Sequence, residues 1–314
     1  MSAIGDKADI GTYRQDIPSL LAEIRLSIDG LDNGRHRPVA FAKSLHQEGL
    51  AVAGDPFYKD HWINIDRDRL DRYERMFQWN PASSALYEPA DIRPGHIVAD
   101  FGCGPGYTAI EIAKWVGPSG HVHALDINPD FVSRTRKNAN AAGVGERITV
   151  HQCDGSILPL LDESLDRLTT RNTLIYVDDL ASTIREFRRV LRGGGKLHTV
   201  EGDWPMMIIE PVPSKDWAAL VNAASHACRT PDIGRKLYGL MARAAFSGID
   251  VQVITRPDTD GRLLPMIRNM AEYARGSGKI NQFDVEKILS MIEQTVSHGS
   301  YLALAPQFVV TATR

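Results

Sequence analysis

The sequence predicts a doubly wound α/β fold with a mostly parallel sheet of seven strands. Beyond residue 94, short apolar runs alternate with segments of helical periodicity, the pattern of strand–helix–strand units. The first apolar run ends in Asp100 and passes directly into Gly102, Gly104 and Gly106. Glycines spaced in this way suit the tight strand-to-helix turn at which parallel sheets bind ligands. The second run ends in another acid, Asp126.

Composition indicates one large globular domain with an accessory element. The chain has 314 residues, 43% of them apolar, which is enough for a sizeable core. Lys and Arg number 36 against 39 Asp and Glu, so no basic excess predicts a nucleic-acid partner. We find neither a signal-peptide pattern nor an apolar run of about 20 residues, so we expect a cytoplasmic protein without a membrane span. The 3 cysteines show no metal-ligand spacing, and we expect a reducing compartment.

Residues 1–94 are predicted to be mostly helical and to form a lid that contributes to substrate binding. Apolar residues recur at helical spacing over residues 17–28, and a second helix is predicted over residues 64–79. Residues 95–314 are predicted to form the sheet domain, with a helical insert at about 203–247.

Each strand and helix of the sheet domain has its own signal. Apolar runs predict strands over about 96–100, 121–126, 148–153, 165–170, 196–200, 250–254 and 307–313. Helical periodicity predicts helices over about 107–116, 129–142, 179–191, 263–275 and 283–297. Asn128-Pro129 supplies an N-cap and a first-turn proline, and Gly193-Gly194-Gly195 is predicted to end a helix.

The glycine-rich loop differs from a dinucleotide-binding loop. A dinucleotide fingerprint, G-x-G-x-x-G, would place glycine where this chain has Tyr107. A carboxylate at Asp100 would repel a pyrophosphate a few ångströms away by roughly 1 to 4 kcal/mol. A ligand that carries an ammonium and a sulfonium would be attracted instead, which indicates S-adenosylmethionine.

The loop resembles the glycine-rich motif of class I S-adenosylmethionine-dependent methyltransferases. The stretch S-L-D-R-L-T-T-R-N-T-L-I-Y-V-D-D also resembles the family's fourth motif, although Tyr176 stands where histidine is common. The resemblance extends over about residues 80–202 and is nearest to the small-molecule branch that acts on quinones and natural products. It implies that the last strand returns antiparallel at the sheet edge.

The resemblance also implies which residues bind the cofactor. Asp126 would accept hydrogen bonds from the ribose hydroxyls, and Asp154 would accept from the adenine amino group, although Asp154-Gly155 also fits an ordinary turn. Ile127 would pack on the adenine, and Asn172 would lie near the methionine end. The residues predicted to bind the cofactor are Asp100, Gly102, Cys103, Gly104, Gly106, Asp126, Ile127, Asp154, Gly155, Asn172 and Tyr73.

Substrate and catalytic residues are predicted with less support from motifs. Arg171, at a strand end, could hold a substrate anion, but pairing with a structural acid is the favoured reading. Trp79, Trp204 and Tyr238 are predicted to line the substrate site together with Arg171. The catalytic or positioning candidates are Tyr176, His226 and Glu201. Tyr176 is a poor base at neutral pH.

The sequence therefore predicts transfer of a methyl group to oxygen, nitrogen or carbon of a small apolar or aromatic molecule. We expect no metal, because Arg171 and Asn172 stand where a magnesium-dependent site would need carboxylates. A homodimer stays possible. Two other readings stay open: a cofactor-binding protein that transfers no methyl group, such as a cyclase or regulatory subunit, and a methyltransferase for protein or RNA.

Overall fold

A computed structural model describes residues 57–314, so the predicted helix over residues 17–28 lies outside the described residues. Asp55–Arg314 is one compact unit. Its strands are β1 (Ile97–Phe101), β2 (His121–Asp126), β3 (Ile148–Gln152), β4 (Leu165–Arg171), β5 (Leu191–Gly202), β6 (Ile208–Glu210), β7 (Ser247–Ile254), β8 (Leu302–Leu304) and β9 (Gln307–Thr313). Its α-helices are α1 (Phe57–Ile63), α2 (Arg67–Met76), α3 (Tyr107–Val116), α4 (Pro129–Ala141), α5 (Leu180–Val190), α6 (Ser214–Ala224), α7 (Ile233–Arg243), α8 (Leu264–Ser277) and α9 (Gln282–Ser297).

Seven strands form one sheet in the order β3-β2-β1-β4-β5-β9-β7. Strands β1 to β5 pair in parallel, and β9 runs antiparallel to both β5 and β7. The predicted fold class, a mostly parallel seven-stranded sheet with an antiparallel last strand, is therefore confirmed. The expectation that the last strand lies at the sheet edge is wrong, since β9 lies between two neighbours. Five consecutive residues of β9 are buried, as suits an internal strand, whereas β7 is largely exposed.

Local capping signals act where the sequence predicts them. Asn128 begins α4 by accepting hydrogen bonds from the backbone N–H groups of Asp130 and Phe131 through its side chain. Asp179 begins α5 by accepting from the N–H of Ser182. The first cap begins α4 directly after the carboxyl end of β2, whereas residues 172–179 separate β4 from α5.

Two features of the sheet region depart from the prediction. Strand β5 begins at Leu191, immediately after α5, so the three glycines lie inside the strand rather than before it. Leu191 pairs with Leu165, and the register then shifts before Lys196 pairs with Arg167, so the glycines form an irregularity in the strand. The predicted helical insert also contains the short strand β6, which pairs with β8.

Three buried clusters surround the sheet and its insert. One face of the sheet packs against α5 and α7 through Leu168, Phe187 and Leu237. The opposite face packs against α3 and α4 through Val98 and Ile112. The insert has a core of its own with α8 and α9, built around residues such as Leu220, Ile267 and Ile292. Within residues 57–314, no helix is long and apolar enough to cross a membrane.

Candidate active site

A cavity of about 560 Å³ lies where the carboxyl ends of β1, β2, β4 and β5 meet. Residues from α1 and α2, including Lys59, Trp62 and Met76, form part of its wall. The insert contributes Trp204 and Met207. The cavity therefore has one wall made of sheet ends and another made of helical segments that the sequence assigns to the lid.

The glycine-rich loop brings backbone directly against the cavity. Gly102 has φ +74°, and a Cβ there would overlap the side chain of Thr173. Gly104 also has positive φ and lines the cavity beside Cys103. Gly106 begins α3, and a Cβ there would come within 2.6 Å of Thr135, although Gly106 itself is not part of the cavity wall. Glycine is thus required at both ends of this loop for packing reasons.

Asp126 holds the loop in place from the neighbouring strand. Its Oδ2 accepts a hydrogen bond from the N–H of Gly104 at 2.8 Å, and its Oδ1 accepts from the N–H of Asn128 at 2.9 Å. Burial raises the pKa of Asp126 to about 6, and the backbone hydrogen bonds oppose that rise. Each oxygen of the ionised carboxylate keeps acceptor capacity for a ligand hydroxyl.

Asp100 lies at the end of β1 and is only 3% exposed. Its Oδ1 accepts from Thr169 Oγ1 at 3.3 Å, whereas its Oδ2 is buried without a hydrogen-bond partner among residues 57–314. Burial raises the pKa of Asp100 to about 7, and the nearby charge of Asp126 adds to that rise. A buried oxygen without a donor is costly, so this position favours a ligand that brings one.

Asp154 and Ile127 line the same cavity after β3 and β2. The Oδ1 of Asp154 accepts from both the N–H and the Oγ–H of Ser156, and these hydrogen bonds lower the pKa of Asp154. Asp154 thus belongs to a turn and lies in the cavity wall, and its contact with the adenine stays a prediction. Gly155 is buried beneath it, with φ +82°, and a Cβ there would meet the ring of Phe101.

The end of β4 brings three predicted residues to the cavity. Arg171, Asn172 and Tyr176 all line it. Asn172 has φ +51°, a left-handed conformation unusual for a residue other than glycine. The Nε of Arg171 is buried without a hydrogen-bond partner in the described part of the chain. Burial raises the pKa of Tyr176 well above its ordinary value, so its phenol stays neutral.

Glu201, near the end of β5, is fully buried and lines the cavity. Its Oε1 accepts hydrogen bonds from the N–H groups of Thr173 and Leu174, at 2.9 and 2.8 Å. Its Oε2 has no partner within residues 57–314. Burial raises the pKa of Glu201 to about 7. The neighbouring acid Asp203 also lines the cavity but forms an ion pair with Arg235 at 2.6 Å.

Besides Gly106 and Gly155, four residues that the sequence assigns to the site do not line the cavity. Tyr73 is fully buried and shares a 2.9 Å hydrogen bond with Tyr273, while Trp62 and Phe77, which stack on it, line the cavity instead. Trp79 packs against Tyr87 and Trp115.

The other two lie in the insert. Tyr238 is 58% exposed on α7. The Nε2 of His226 lies 2.9 Å from the backbone carbonyl of Tyr273, and its ring stacks on Phe57. A histidine engaged in this way, away from the cavity wall, is not placed to take a proton from a ligand there.

Sequence reasoning did not single out several residues of the cavity wall. Lys59, Met76, Met266 and Gln307 come from four separate segments and have no motif. For this part of the cavity wall, the sequence indicates only that the lid and the insert are rich in apolar residues. Among the described residues, no group of three His, Cys, Asp or Glu is placed to hold a metal ion.

Comparisons with known proteins agree with this geometry. A family model described as "Methyltransferase domain" matches residues 98–195. The chain is 34% identical over 211 residues to the ubiquinone/menaquinone biosynthesis C-methyltransferase UbiE of Bordetella avium, a match that covers 67% of this chain and 75% of the relative. The chain belongs to the class I S-adenosylmethionine-dependent methyltransferases. The resemblance seen in the glycine-rich loop is therefore confirmed, and S-adenosylmethionine is the cofactor of this family.

Other relatives of this methyltransferase match over different shares of their length. An uncharacterized 37.1 kDa protein in transposon TN4556 of Streptomyces fradiae is 32% identical over 73% of this chain and 66% of the relative. Two further relatives are covered over only 40% and 57% of their length. The structure of a putative methyltransferase from Bacillus halodurans has a TM-score of 0.55 at 17% identity, covering 74% of this chain and 99% of that one. That likeness shows the shared fold.

Proposed function

We propose that this methyltransferase transfers a methyl group from S-adenosylmethionine to a small organic molecule with an apolar or aromatic body. The observation that carries the proposal is the pair of buried carboxylates, Asp100 and Asp126, on either side of the glycine-rich loop. A wall of this kind attracts a cationic nucleoside and repels one that carries phosphates.

The residues of the cavity fit the cofactor along its length. Asp126 and Asp154, on β2 and after β3, would accept from the ribose hydroxyls and from the adenine amino group. The unpartnered Oδ2 of Asp100 would accept from the ammonium, and the unpartnered Nε of Arg171 would donate to the carboxylate. This assignment replaces both sequence-based readings of Arg171, substrate binding and a structural ion pair, with a place at the cofactor.

The cofactor supplies an activated methyl group, so the protein has chiefly to position the acceptor and exclude water. The walls suit that task, because Trp62, Trp204 and Met207 present apolar surface beside the sheet ends. A small aromatic or apolar body would fill this part of the cavity.

Titration calorimetry with S-adenosylhomocysteine, NAD and ATP tests the cofactor assignment. We expect S-adenosylhomocysteine to bind and the two phosphate-bearing nucleotides to bind far more weakly or not at all. Tight binding of NAD or ATP together with no binding of S-adenosylhomocysteine would overturn the proposal.

Asp126→Asn is the matched variant for this experiment. We expect it to weaken S-adenosylhomocysteine binding by about 10- to 100-fold, because it removes a charged acceptor of hydrogen bonds. Asp162→Asn, which changes an exposed acid that pairs with Arg189, serves as the control and should bind normally. Equal affinities for the wild type and Asp126→Asn would contradict the ribose assignment. Release of S-adenosylhomocysteine in the presence of candidate acceptors then separates a methyltransferase from a protein that only binds the cofactor.

A further inference from the structure

The position of Glu201 in the sheet places it beyond the proposed cofactor. In the strand order β3-β2-β1-β4-β5, the proposed adenosine contacts belong to the first strands and the methionine contacts to β1 and β4. Neighbouring strands lie about 4.8 Å apart, so the end of β5 is one step further in the same direction. The transferred methyl group is on the sulfonium, which joins the adenosine to the amino-acid part, so the acceptor has to lie beside that sulfur. Glu201 lines the cavity one strand beyond β4, on the side away from the proposed adenosine contacts.

The carboxylate of Glu201 is held by one oxygen and presents the other. Because the backbone N–H groups of Thr173 and Leu174 both donate hydrogen bonds to Oε1, they fix the position of the side chain. Glu201 lines the same cavity as Trp204, and its Oε2 is buried and finds no donor in the part of the chain that the structure describes. A buried acceptor without a donor is costly, so Oε2 favours a ligand that brings one to this part of the cavity.

The titratable groups around Glu201 favour its protonated form, because they do not stabilise its negative charge. The titratable side chains whose charges reach it are Tyr176 and Cys228, and burial raises the pKa of both well above ordinary values. Both therefore stay neutral near pH 7. Arg235 is engaged by Asp203, and Arg171 lines the cavity from the neighbouring strand without a hydrogen bond to Glu201. Burial raises the pKa of Glu201 to about 7 against the opposing effect of its backbone hydrogen bonds, and a carboxylate with such a pKa can act as a general base.

We propose that the methyl acceptor is a hydroxyl group on an apolar ring, and that Oε2 of Glu201 receives its proton. This inference rests on the proposed function. As the hydroxyl proton moves to Oε2, an oxygen lone pair forms the bond to the methyl carbon. The carbon–sulfur bond breaks, and its electron pair stays on sulfur. The products are a methyl ether, S-adenosylhomocysteine and protonated Glu201, which returns its proton to water.

Glu201→Gln replaces Oε2 with an amide nitrogen and keeps Oε1, the oxygen that accepts from the backbone. The glutamine Oε1 can still accept from Thr173 and Leu174, which places the amide NH₂ where Oε2 stood. The variant thus presents a donor to the cavity in place of an acceptor. A ligand hydroxyl should lose its partner, whereas an ether oxygen should gain one.

The experiment measures binding of 2-naphthol and its methyl ether, 2-methoxynaphthalene, by calorimetry with S-adenosylhomocysteine present. At pH 8 we expect the wild type to prefer 2-naphthol by about tenfold or more, and Glu201→Gln to lose that preference. The wild-type preference should weaken as the pH falls below about 7, and the variant should show no such dependence. Asp162→Asn, a change of an exposed acid outside the cavity wall, should keep the wild-type preference.

Equal affinities of the wild type for the two naphthalenes would overturn the proposal. The same holds if neither compound binds at millimolar concentration, or if Glu201→Gln keeps the preference. Binding of S-adenosylhomocysteine alone is measured first for each variant. Its absence in the wild type would mark a failure of the proposed function, and its presence in Glu201→Gln shows that the variant is folded.

Discussion

The two halves of the cavity are built in different ways. The half formed by β1, β2 and their loops is built around backbone: its glycines have positive φ, and the side chain of Asp126 fixes two backbone N–H groups by accepting from them at 2.8 and 2.9 Å. The half formed by β5, the insert and the lid helices is made of side chains from separate segments, among them aromatic residues and methionines.

This difference predicts which half of the cavity tolerates substitutions. A glycine loop whose backbone is fixed by a carboxylate of the neighbouring strand has few alternative conformations, so a single Cβ can displace it. A wall of long side chains from separate segments can repack around a new occupant. We expect the backbone half to be sensitive to small substitutions, and the side-chain half to tolerate them except at Glu201.

The largest expected effect tests the backbone half. Gly102→Ala places a Cβ against Thr173 and imposes a strained φ, so we expect a loss of about 3–5 kcal/mol in the free energy of unfolding, together with loss of cofactor binding. Urea denaturation and calorimetry measure the two quantities.

Gly143→Ala is the matched control. Gly143 also has positive φ, but a Cβ there meets nothing within 4 Å. It should cost about 1 kcal/mol and leave cofactor affinity unchanged. If the two alanine variants behave alike, close packing of the loop is not what distinguishes this half of the cavity.

An intermediate effect tests the exceptional residue of the side-chain half. Because folding raises the pKa of Glu201 to about 7, its contribution to stability is fully present below its unfolded pKa and is lost as the pH rises through 7. We expect Glu201→Gln to abolish this loss of stability with rising pH. Relative to the wild type, the variant should gain about 3 kcal/mol in the free energy of unfolding between pH 4.5 and pH 8.

Taking the difference between the two proteins isolates Glu201. Burial lowers the pKa of His61, His123 and His198 to about 4, so those groups reduce stability as the pH falls from 6.5 toward 4. Their contribution is common to the wild type and the variant. A difference that stays constant with pH would show that Glu201 keeps its ordinary acidity in the folded protein.

The smallest expected effect concerns how the lid helix α2 is attached. Arg134 of α4 contacts Asp71 at 2.7 Å and also contacts Glu74, and thus ties α2 beside the glycine-rich loop. We expect Arg134→Met to cost about 1 kcal/mol and to speed hydrogen exchange in α2. Arg136→Met, on the same helix but bonded to Val150, should leave exchange in α2 unchanged. Unaltered exchange in both variants would mean that stacking of Trp62, Tyr73 and Phe77 alone holds the lid.

The same contrast explains what could be predicted from the sequence. The bounds of α3, β2 and β9 and the place of Asp126 follow from local patterns, because capping, glycine conformation and apolar runs act over a few neighbouring residues. The pairing of β6 with β8 joins two three-residue strands far apart in the chain, and no local signal specifies it.

The direction in which a side chain points also could not be predicted from the sequence. Tyr73, Trp79 and Tyr238 have the aromatic character of a ligand site, but periodicity does not distinguish a face that meets a cavity from one that meets a core or solvent. Glu201 could be predicted because it directly follows the predicted strand over residues 196–200, although its unpartnered oxygen could be seen only with the loop of Thr173 in place.

The insertion of β9 between β5 and β7 has a consequence for biosynthesis. Strand β7 leaves the ribosome about fifty residues before β9, yet its only partner in the seven-stranded sheet is β9. During translation, the backbone hydrogen-bonding groups of β7 therefore stay open to water or to other chains until residues 307–313 are synthesised and complete the sheet. A stalled or truncated chain would leave exposed the backbone groups of β5 and β7 that pair with β9 in the complete sheet.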